Sequence, residues 1–120
     1  MSKYWIIIAG ISGFAAVALG AFGAHGFRDS LPPDMLEIYK TGVFYQLIHS
    51  MVLLVLALTA GSKFEFSKWF FFAGIVLFSF SLYLYAVTGV TFFSYFTPVG
   101  GVCFLIGWLS LAVTALKKKS

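Results

Sequence analysis

The chain alternates between long apolar stretches and short polar ones, and this pattern repeats four times. The apolar stretches cover roughly residues 4–24, 42–60, 68–87 and 97–116, and none carries a charge in its interior. Each is close to the length of about 20 residues that an α-helix needs to cross a hydrocarbon layer of about 30 Å. A small soluble domain has too much surface for four helices that are apolar all round, so the pattern predicts an integral membrane protein.

The predicted fold class is an all-α bundle of four transmembrane helices, with residues 1–120 forming a single domain. The longest connection covers residues 25–41. Within it a Pro-Pro pair, typical of a helix start, precedes a mixed apolar and charged run at 35–40. We expect this run to form a short interfacial helix between the first and second crossings, or an extension of the second crossing. Gly42 offers a bend at that point.

Composition and charged residues narrow the function classes. Hydrophobic residues make up 61% of the chain and charged residues 10%, whereas soluble domains carry about 25% charged residues. The single cysteine, Cys103, excludes a disulfide within the chain and a CxxC redox motif. The apolar stretches contain no acidic residue, which argues against proton-coupled export of cations. No nucleophile stands with a base and an orienting acid, so we predict no enzyme and no cofactor.

The placement of the basic residues predicts an orientation. Six of the eight lie before the first stretch, around the second connection or after the last stretch: Lys3, Lys63, Lys68, Lys117, Lys118 and Lys119. Only Arg28 and Lys40 lie on the other side. Because Lys and Arg concentrate in cytoplasmic connections, both termini are predicted to face the cytoplasm. The lysines are short anchors at the ends of apolar helices, and the C-terminal triplet is expected to attract anionic headgroups, so membrane lipids rather than nucleic acids are the expected partners.

Small residues form two regular seams, one on the first and one on the last predicted helix. Spacings of three and four residues connect Ala9, Gly13, Ala16, Gly20 and Gly23, and likewise Gly100, Cys103 and Gly107. Small side chains let the backbones of membrane helices approach closely. We therefore expect the first and fourth helices to pack against each other. The third stretch is rich in phenylalanine, which we interpret as lipid contact and packing.

Polar residues concentrate in the second stretch. Tyr45, Gln46, His49 and Ser50 fall, with Gly42, on one side of a helix. Because unpaired polar groups are costly in hydrocarbon, this side is expected to face the bundle. Together with two residues after the first stretch, the cluster forms a candidate outward-facing ligand site. Its members are His25, Arg28, Tyr45, Gln46 and His49.

The two histidines leave three interpretations open. They satisfy each other, backbone groups or water in a structural role, or they line a pocket for a small molecule, lipid headgroup or proton beside Arg28. In the third interpretation they ligate a metal or haem iron. The leading hypothesis is a non-enzymatic accessory protein or a binder of a lipid or small molecule. An oligomeric small-solute transporter or channel is the alternative, and a second copy or another membrane protein is the partner expected besides lipid.

Two segments resemble a known family. The sequence LGAFGAHG at residues 19–26 and YQLIHS at 45–50 is similar to the YgdD/YwdK-type small bacterial inner-membrane proteins. The resemblance spans essentially the whole chain and implies four crossings, a cytoplasmic-membrane location and no established activity. It marks as signature positions Gly20, Gly23, His25, Gly26, Tyr45, Gln46 and His49. Gly42 departs from the pattern, in which alanine is more common.

Overall fold

Four long helices and one short helix make up the fold. The computed structural model describes residues 3–60 and 62–117, so Lys118 and Lys119 lie outside the described residues. The helices are α1 (Lys3–Gly26), α2 (Pro33–Thr59), α3 (Glu65–Thr88), α4 (Thr91–Ser94) and α5 (Thr97–Lys117). α1, α2, α3 and the α4–α5 segment are long and apolar enough to cross a membrane. The predicted all-helical architecture with four spans is therefore confirmed.

The second helix begins at Pro33, so the alternative in which residues 35–40 extend the second crossing is confirmed. Its 27 residues measure about 40 Å at 1.5 Å per residue, which exceeds the thickness of the hydrocarbon layer. The structure does not show a separate interfacial helix, because residues 35–40 form the first turns of α2. The helix continues through Gly42 without a break. A Cβ atom there would lie 2.7 Å from Cε1 of Tyr83 and 3.1 Å from the carbonyl oxygen of Ser79, so this glycine serves a close approach to α3.

The third helix contains a π-helical segment at Ile75–Ser79. The hydroxyl of Ser79 donates to the carbonyl oxygen of Gly42 in α2 at 2.7 Å. On the opposite side, a Cβ atom on Gly100 of α5 would lie 2.7 Å from the carbonyl carbon of Leu77 and still closer to the backbone of the next residue. Both neighbouring helices therefore approach the backbone of α3 at its wider turn.

The central pair of the bundle is α2 and α3. α1 packs along α2, and α5 packs along α3. Within the most apolar 18 residues of each span, 39% of the residues of α2 and 44% of those of α3 are buried, against 17% in each of the two outer spans. The Cα positions extend over 53 × 25 × 17 Å, a flattened cross-section that fits outer helices on opposite sides of the central pair. The prediction that the first and fourth helices pack together is therefore wrong.

The seam on α1 faces α2 instead. Ala9 and Ala16 are buried, and a Cβ atom on Gly20 or Gly23 would meet side chains of α2. Around Gly13 the corresponding space is open, with nothing within 4 Å. Small residues on α1 thus make room for larger side chains of α2, and not for the small residues of α5.

The seam on α5 faces α3. Gly100 and Gly107 are buried, and Cys103 is half-buried. A Cβ atom on Gly107 would lie 2.8 Å from the ring of Phe71. The physical reason for the wrong pairing is that each seam fits bulky residues of another helix: Phe71 fills the space beside Gly107, as Tyr39 does beside Gly23.

Adjacent glycines on α5 provide a test of this packing. Gly100→Ala should lower the free energy of unfolding by about 1–3 kcal/mol, because the added methyl meets backbone that cannot move aside. Gly101→Ala is the matched control, since its methyl would lie 3.9 Å from the Phe78 ring, an ordinary contact. Unfolding in detergent micelles measures both variants. Equal stability of the two would contradict the α3–α5 packing.

Candidate functional site

The polar residues of α2 divide between two directions. Gln46 and Ser50 face α1 and α3, whereas Tyr45 and His49 face α3 and α5. Gln46, His49 and Ser50 are buried, at 0%, 4% and 3% exposure. The prediction that this side of the helix faces the bundle is confirmed for these three residues. Tyr45 is 37% exposed and lies at the edge.

Gln46 connects three helices. Its Nε2 donates to the carbonyl oxygen of Ser12 in α1 at 2.9 Å, and its Oε1 accepts from the hydroxyl of Tyr83 in α3 at 2.6 Å. The hydroxyls of Ser12 and Ser50 lie 2.6 Å apart, and Ser50 also donates to the backbone of Gln46. Both amide atoms thus have partners within the protein, which favours a structural role for this network.

His49 joins α2 to α5. The indole Nε1–H of Trp108 donates to Nε2 of His49 at 3.0 Å, and Nδ1 of His49 lies 2.8 Å from the carbonyl oxygen of Tyr45. An indole N–H can only donate and a carbonyl oxygen can only accept, so the ring is the neutral tautomer with its proton on Nδ1. The ring of Phe104 stacks on it at 3.8 Å and 10°. Both nitrogens are engaged, which leaves no lone pair for a metal.

Beside His49, two neighbouring cavities along α2 and α5 share Trp108 as a lining residue, and we call them together the lateral groove and each one a compartment. The aromatic compartment, about 420 Å³, is lined by Tyr45, His49, Phe78, Pro98, Gly101, Val102, Phe104, Leu105 and Trp108. The aliphatic compartment, about 440 Å³, is lined by Ile48, Met51, Val52, Val55, Leu56, Trp108 and Leu111. Phe78, one of the phenylalanines of the third stretch that we interpreted as lipid contact and packing, contributes to the wall of the aromatic compartment.

The chemistry of the groove is almost entirely apolar. Its rim residues Val102 and Leu105 are exposed on the side of the bundle, within a span. The polar atoms of His49 and Trp108 are already paired. The hydroxyl of Tyr45 makes no hydrogen bond to other described residues, so it is one polar group that the groove can offer. Such a surface suits a hydrocarbon chain and not an ion.

The other two residues of the predicted cluster lie elsewhere. His25 is in the last turn of α1 and Arg28 is in the turn that follows, and both are exposed. His49 has both ring nitrogens bonded to other groups, so the two histidines do not pair. The five predicted residues therefore do not form one site: Tyr45 and His49 share the groove, Gln46 faces α1, and the remaining two lie at the surface. Residues 3–60 and 62–117 contain no cluster of three or more His, Cys, Asp or Glu that would suit a metal ion.

The partners of His49 and Gln46 were not found from the sequence. Trp108, Phe104, Tyr83 and Ser12 all come from other helices. One signal for Trp108 was available: it lies near the middle of α5, whereas tryptophan in membrane helices concentrates at the interfaces. A tryptophan at mid-span needs a hydrogen-bond acceptor within the protein.

A second polar cluster joins the starts of α1 and α3. The side chain of Lys68 is fully buried, with its Nζ 3.3 Å from Oε1 of Glu65, and the indole of Trp5 donates to Oε2 of Glu65 at 2.8 Å. Lys68, which we grouped with the lysines at helix ends, is therefore buried and not exposed at the membrane surface. Its charge is paired inside the bundle, beside the start of α3.

Comparisons with known proteins agree with the resemblance seen in the sequence. A family described as "Protein of unknown function (DUF423)" matches residues 19–101. The chain is 42% identical to the UPF0382 membrane protein YwdK of Bacillus subtilis, covering 96% of this chain and 98% of that protein. A UPF0382 membrane protein of Haemophilus influenzae is 44% identical, covering 99% and 98%. The UPF0382 inner membrane protein YgdD of Escherichia coli is 40% identical, covering 98% and 93%. No solved structure matches.

A double-mutant cycle tests the bond between His49 and Trp108. We expect His49→Phe and Trp108→Phe to be non-additive, with a coupling energy of about 1 kcal/mol in unfolding experiments, because each change alone removes the same hydrogen bond. His49→Phe combined with Trp5→Phe is the control and should be additive, since Trp5 bonds to Glu65 at the end of the bundle. A coupling energy of zero for the first pair would refute the bond.

Proposed function

The chain belongs to the DUF423 family and is an inner-membrane protein with four candidate spans, and from this premise we propose that it is a non-enzymatic lipid-binding protein. Its ligand is a phospholipid, one acyl chain of which lies in the lateral groove. The observation that carries the proposal is a concave, aromatic-walled groove that opens sideways within the spanning part of the bundle.

The size of the groove supports this assignment. Each compartment has more than 400 Å³, within the range of about 300–1,000 Å³ typical of small-molecule sites. The groove opens where the neighbouring molecules in a membrane are lipid chains. A chain that enters it exchanges contacts with mobile lipid for contacts with the fixed rings of Phe78 and Phe104, so dispersion and close packing favour the bound state.

The charge pattern supports recognition of the chain rather than the headgroup. Residues 88–101, which lead into the aromatic compartment, contain no Lys, Arg, Asp or Glu. A site selective for a phosphate would carry Arg or Lys at this end. We therefore propose that phospholipids with different headgroups bind similarly.

The paired polar groups favour lipid binding over the alternatives. A catalytic base needs a free lone pair, and both nitrogens of His49 are engaged. A transporter or channel needs polar groups that face a path, whereas Gln46, Ser50 and Tyr83 bond to one another and to α1. A haem or metal site needs ligands that converge, and the two histidines lie apart. These observations support a protein without catalytic activity.

We propose that both termini face the cytoplasm. Among the described basic residues, Lys3, Lys63 and Lys117 lie at the same end of the bundle, with Arg28 and Lys40 at the other. The aromatic compartment then opens into the outer leaflet, and the aliphatic compartment into the inner leaflet.

Filling the aromatic compartment tests the lipid assignment. In native mass spectrometry with added dipalmitoyl phosphatidylethanolamine, the unmodified protein should retain one lipid per chain. Gly101→Leu should weaken retention about tenfold, because the new side chain occupies the space that the acyl chain needs. Gly10→Leu is the matched control and should bind normally, since Gly10 is exposed on α1 with nothing within 4 Å of its Cβ position.

Three results would refute the assignment. Equal retention by Gly101→Leu and Gly10→Leu would remove the groove from consideration as the site. Loss of a dimer rather than a lipid in Gly101→Leu would assign the groove to a second copy. Retention that depends on the headgroup but not on the chain would place recognition at the membrane surface. Circular dichroism of both variants establishes that they fold.

Cysteine labelling tests the orientation. In a Cys103→Ala background, Asp29→Cys in spheroplasts should react with a membrane-impermeant maleimide, whereas Ser120→Cys should react only after the membrane is permeabilised. The physical basis is the excess of Lys and Arg on the side of the termini. Labelling of Ser120→Cys in intact spheroplasts would place the C-terminus outside and refute the proposed orientation.

A further inference from the structure

The two compartments of the lateral groove meet at one side chain. Trp108 lines both the aromatic and the aliphatic compartment, and they share no other described lining residue. Trp108 lies twelfth among the 21 residues of α5, close to the middle of the span. It is 46% exposed, so part of the side chain faces the open side of the groove, while its indole N–H reaches the buried His49. The indole therefore forms a partition near the centre of the bilayer.

The partition is held in place by groups beneath it. The Nε1–H of the indole donates to His49 at 3.0 Å, and its ring meets the edge of Phe71 at 5.2 Å and 72°. His49 is itself fixed by the Tyr45 carbonyl and by the stacked ring of Phe104. Hydrocarbon offers the indole N–H no acceptor, so rotation of Trp108 out of the protein, away from His49, leaves a polar group unpaired.

Removing the indole would join two spaces of similar size. The aromatic compartment has about 420 Å³ and the aliphatic compartment about 440 Å³. With Trp108 in place, a chain that enters from the Pro98 end stops at mid-depth, where its leaflet also ends. Without Trp108, the same chain could continue past Val52 toward Leu111.

We propose that Trp108 is the chain-length determinant of the lateral groove and that His49 is the residue that positions it. This inference rests on the proposed function, because it takes an acyl chain as the ligand. Chains that fit within one leaflet bind, and longer chains are excluded at the indole. The hydrogen-bonded pair of Trp108 and His49 thus selects the ligand by chain length and also joins α2 to α5.

The test measures selectivity and not binding alone. Native mass spectrometry compares retention of phosphatidylethanolamine with two lauroyl, two palmitoyl or two arachidoyl chains. In the unmodified protein the arachidoyl lipid should bind more weakly than the palmitoyl lipid. Trp108→Ala should raise the arachidoyl-to-palmitoyl ratio about fivefold, a modest change because only packing contacts distinguish the groove from surrounding lipid.

His49→Phe is the second variant, and it keeps an aromatic ring against Phe104. It leaves Trp108 present but without its acceptor, so the ratio should rise by less than in Trp108→Ala. A merely structural role would instead reduce retention of all three lipids equally and leave the ratio unchanged. Trp69→Ala is the control, since Trp69 is exposed on α3 and lines neither compartment.

The outcomes separate this inference from the proposed function. If the unmodified protein retains no lipid in the groove, the proposed function fails and the inference fails with it. If it retains lipid but Trp108→Ala and His49→Phe keep the original chain-length ratio, the proposed function stands and the inference is wrong. A rise of the ratio in both variants, and not in Trp69→Ala, supports it.

Discussion

Within a bilayer, each polar group of a spanning helix must find its partner in the protein, and this constraint organises the bundle. No buried side-chain nitrogen or oxygen among the described residues lacks a hydrogen-bond partner. Gln46 binds α1 and α3 at once, and His49 binds α5. Because both residues belong to α2, that helix must lie at the centre, with each of the other spans close enough to supply a donor or an acceptor.

The same constraint explains why the groove is apolar although it contains a histidine and a tryptophan. The indole N–H bonds to Nε2 of His49 and Nδ1 of His49 bonds to the Tyr45 carbonyl, so what the two residues present to the groove is ring surface. Glycines on α5 let this helix approach α3 closely, while its tryptophan reaches toward α2. α5 therefore touches α3 along its backbone and α2 mainly through aromatic side chains. The space left between α2 and α5 is the groove.

The sequence was sufficient for features that depend on local chemistry. The lengths of the apolar stretches predicted the four spans, and the polarity of Gln46, His49 and Ser50 predicted which side of α2 is buried. The pairing of helices was not predictable in this way, because a small residue shows that something approaches closely but not what approaches. Gly23 fits Tyr39, and Gly107 fits Phe71. Nor could the sequence show that His25 and Arg28 lie apart from His49, since proximity to the same membrane face does not imply contact.

The state of the His49 ring is the most direct test of the account, because it reports whether the protein or its surroundings satisfies this polar group. Solid-state NMR of ¹⁵N-histidine-labelled protein in lipid bilayers measures it at neutral pH, with His25→Ala used for assignment. We expect a neutral ring with a protonated Nδ1 and a bare, hydrogen-bonded Nε2, coupled to the indole nitrogen of Trp108. A proton on Nε2, or an imidazolium in contact with water, would contradict it.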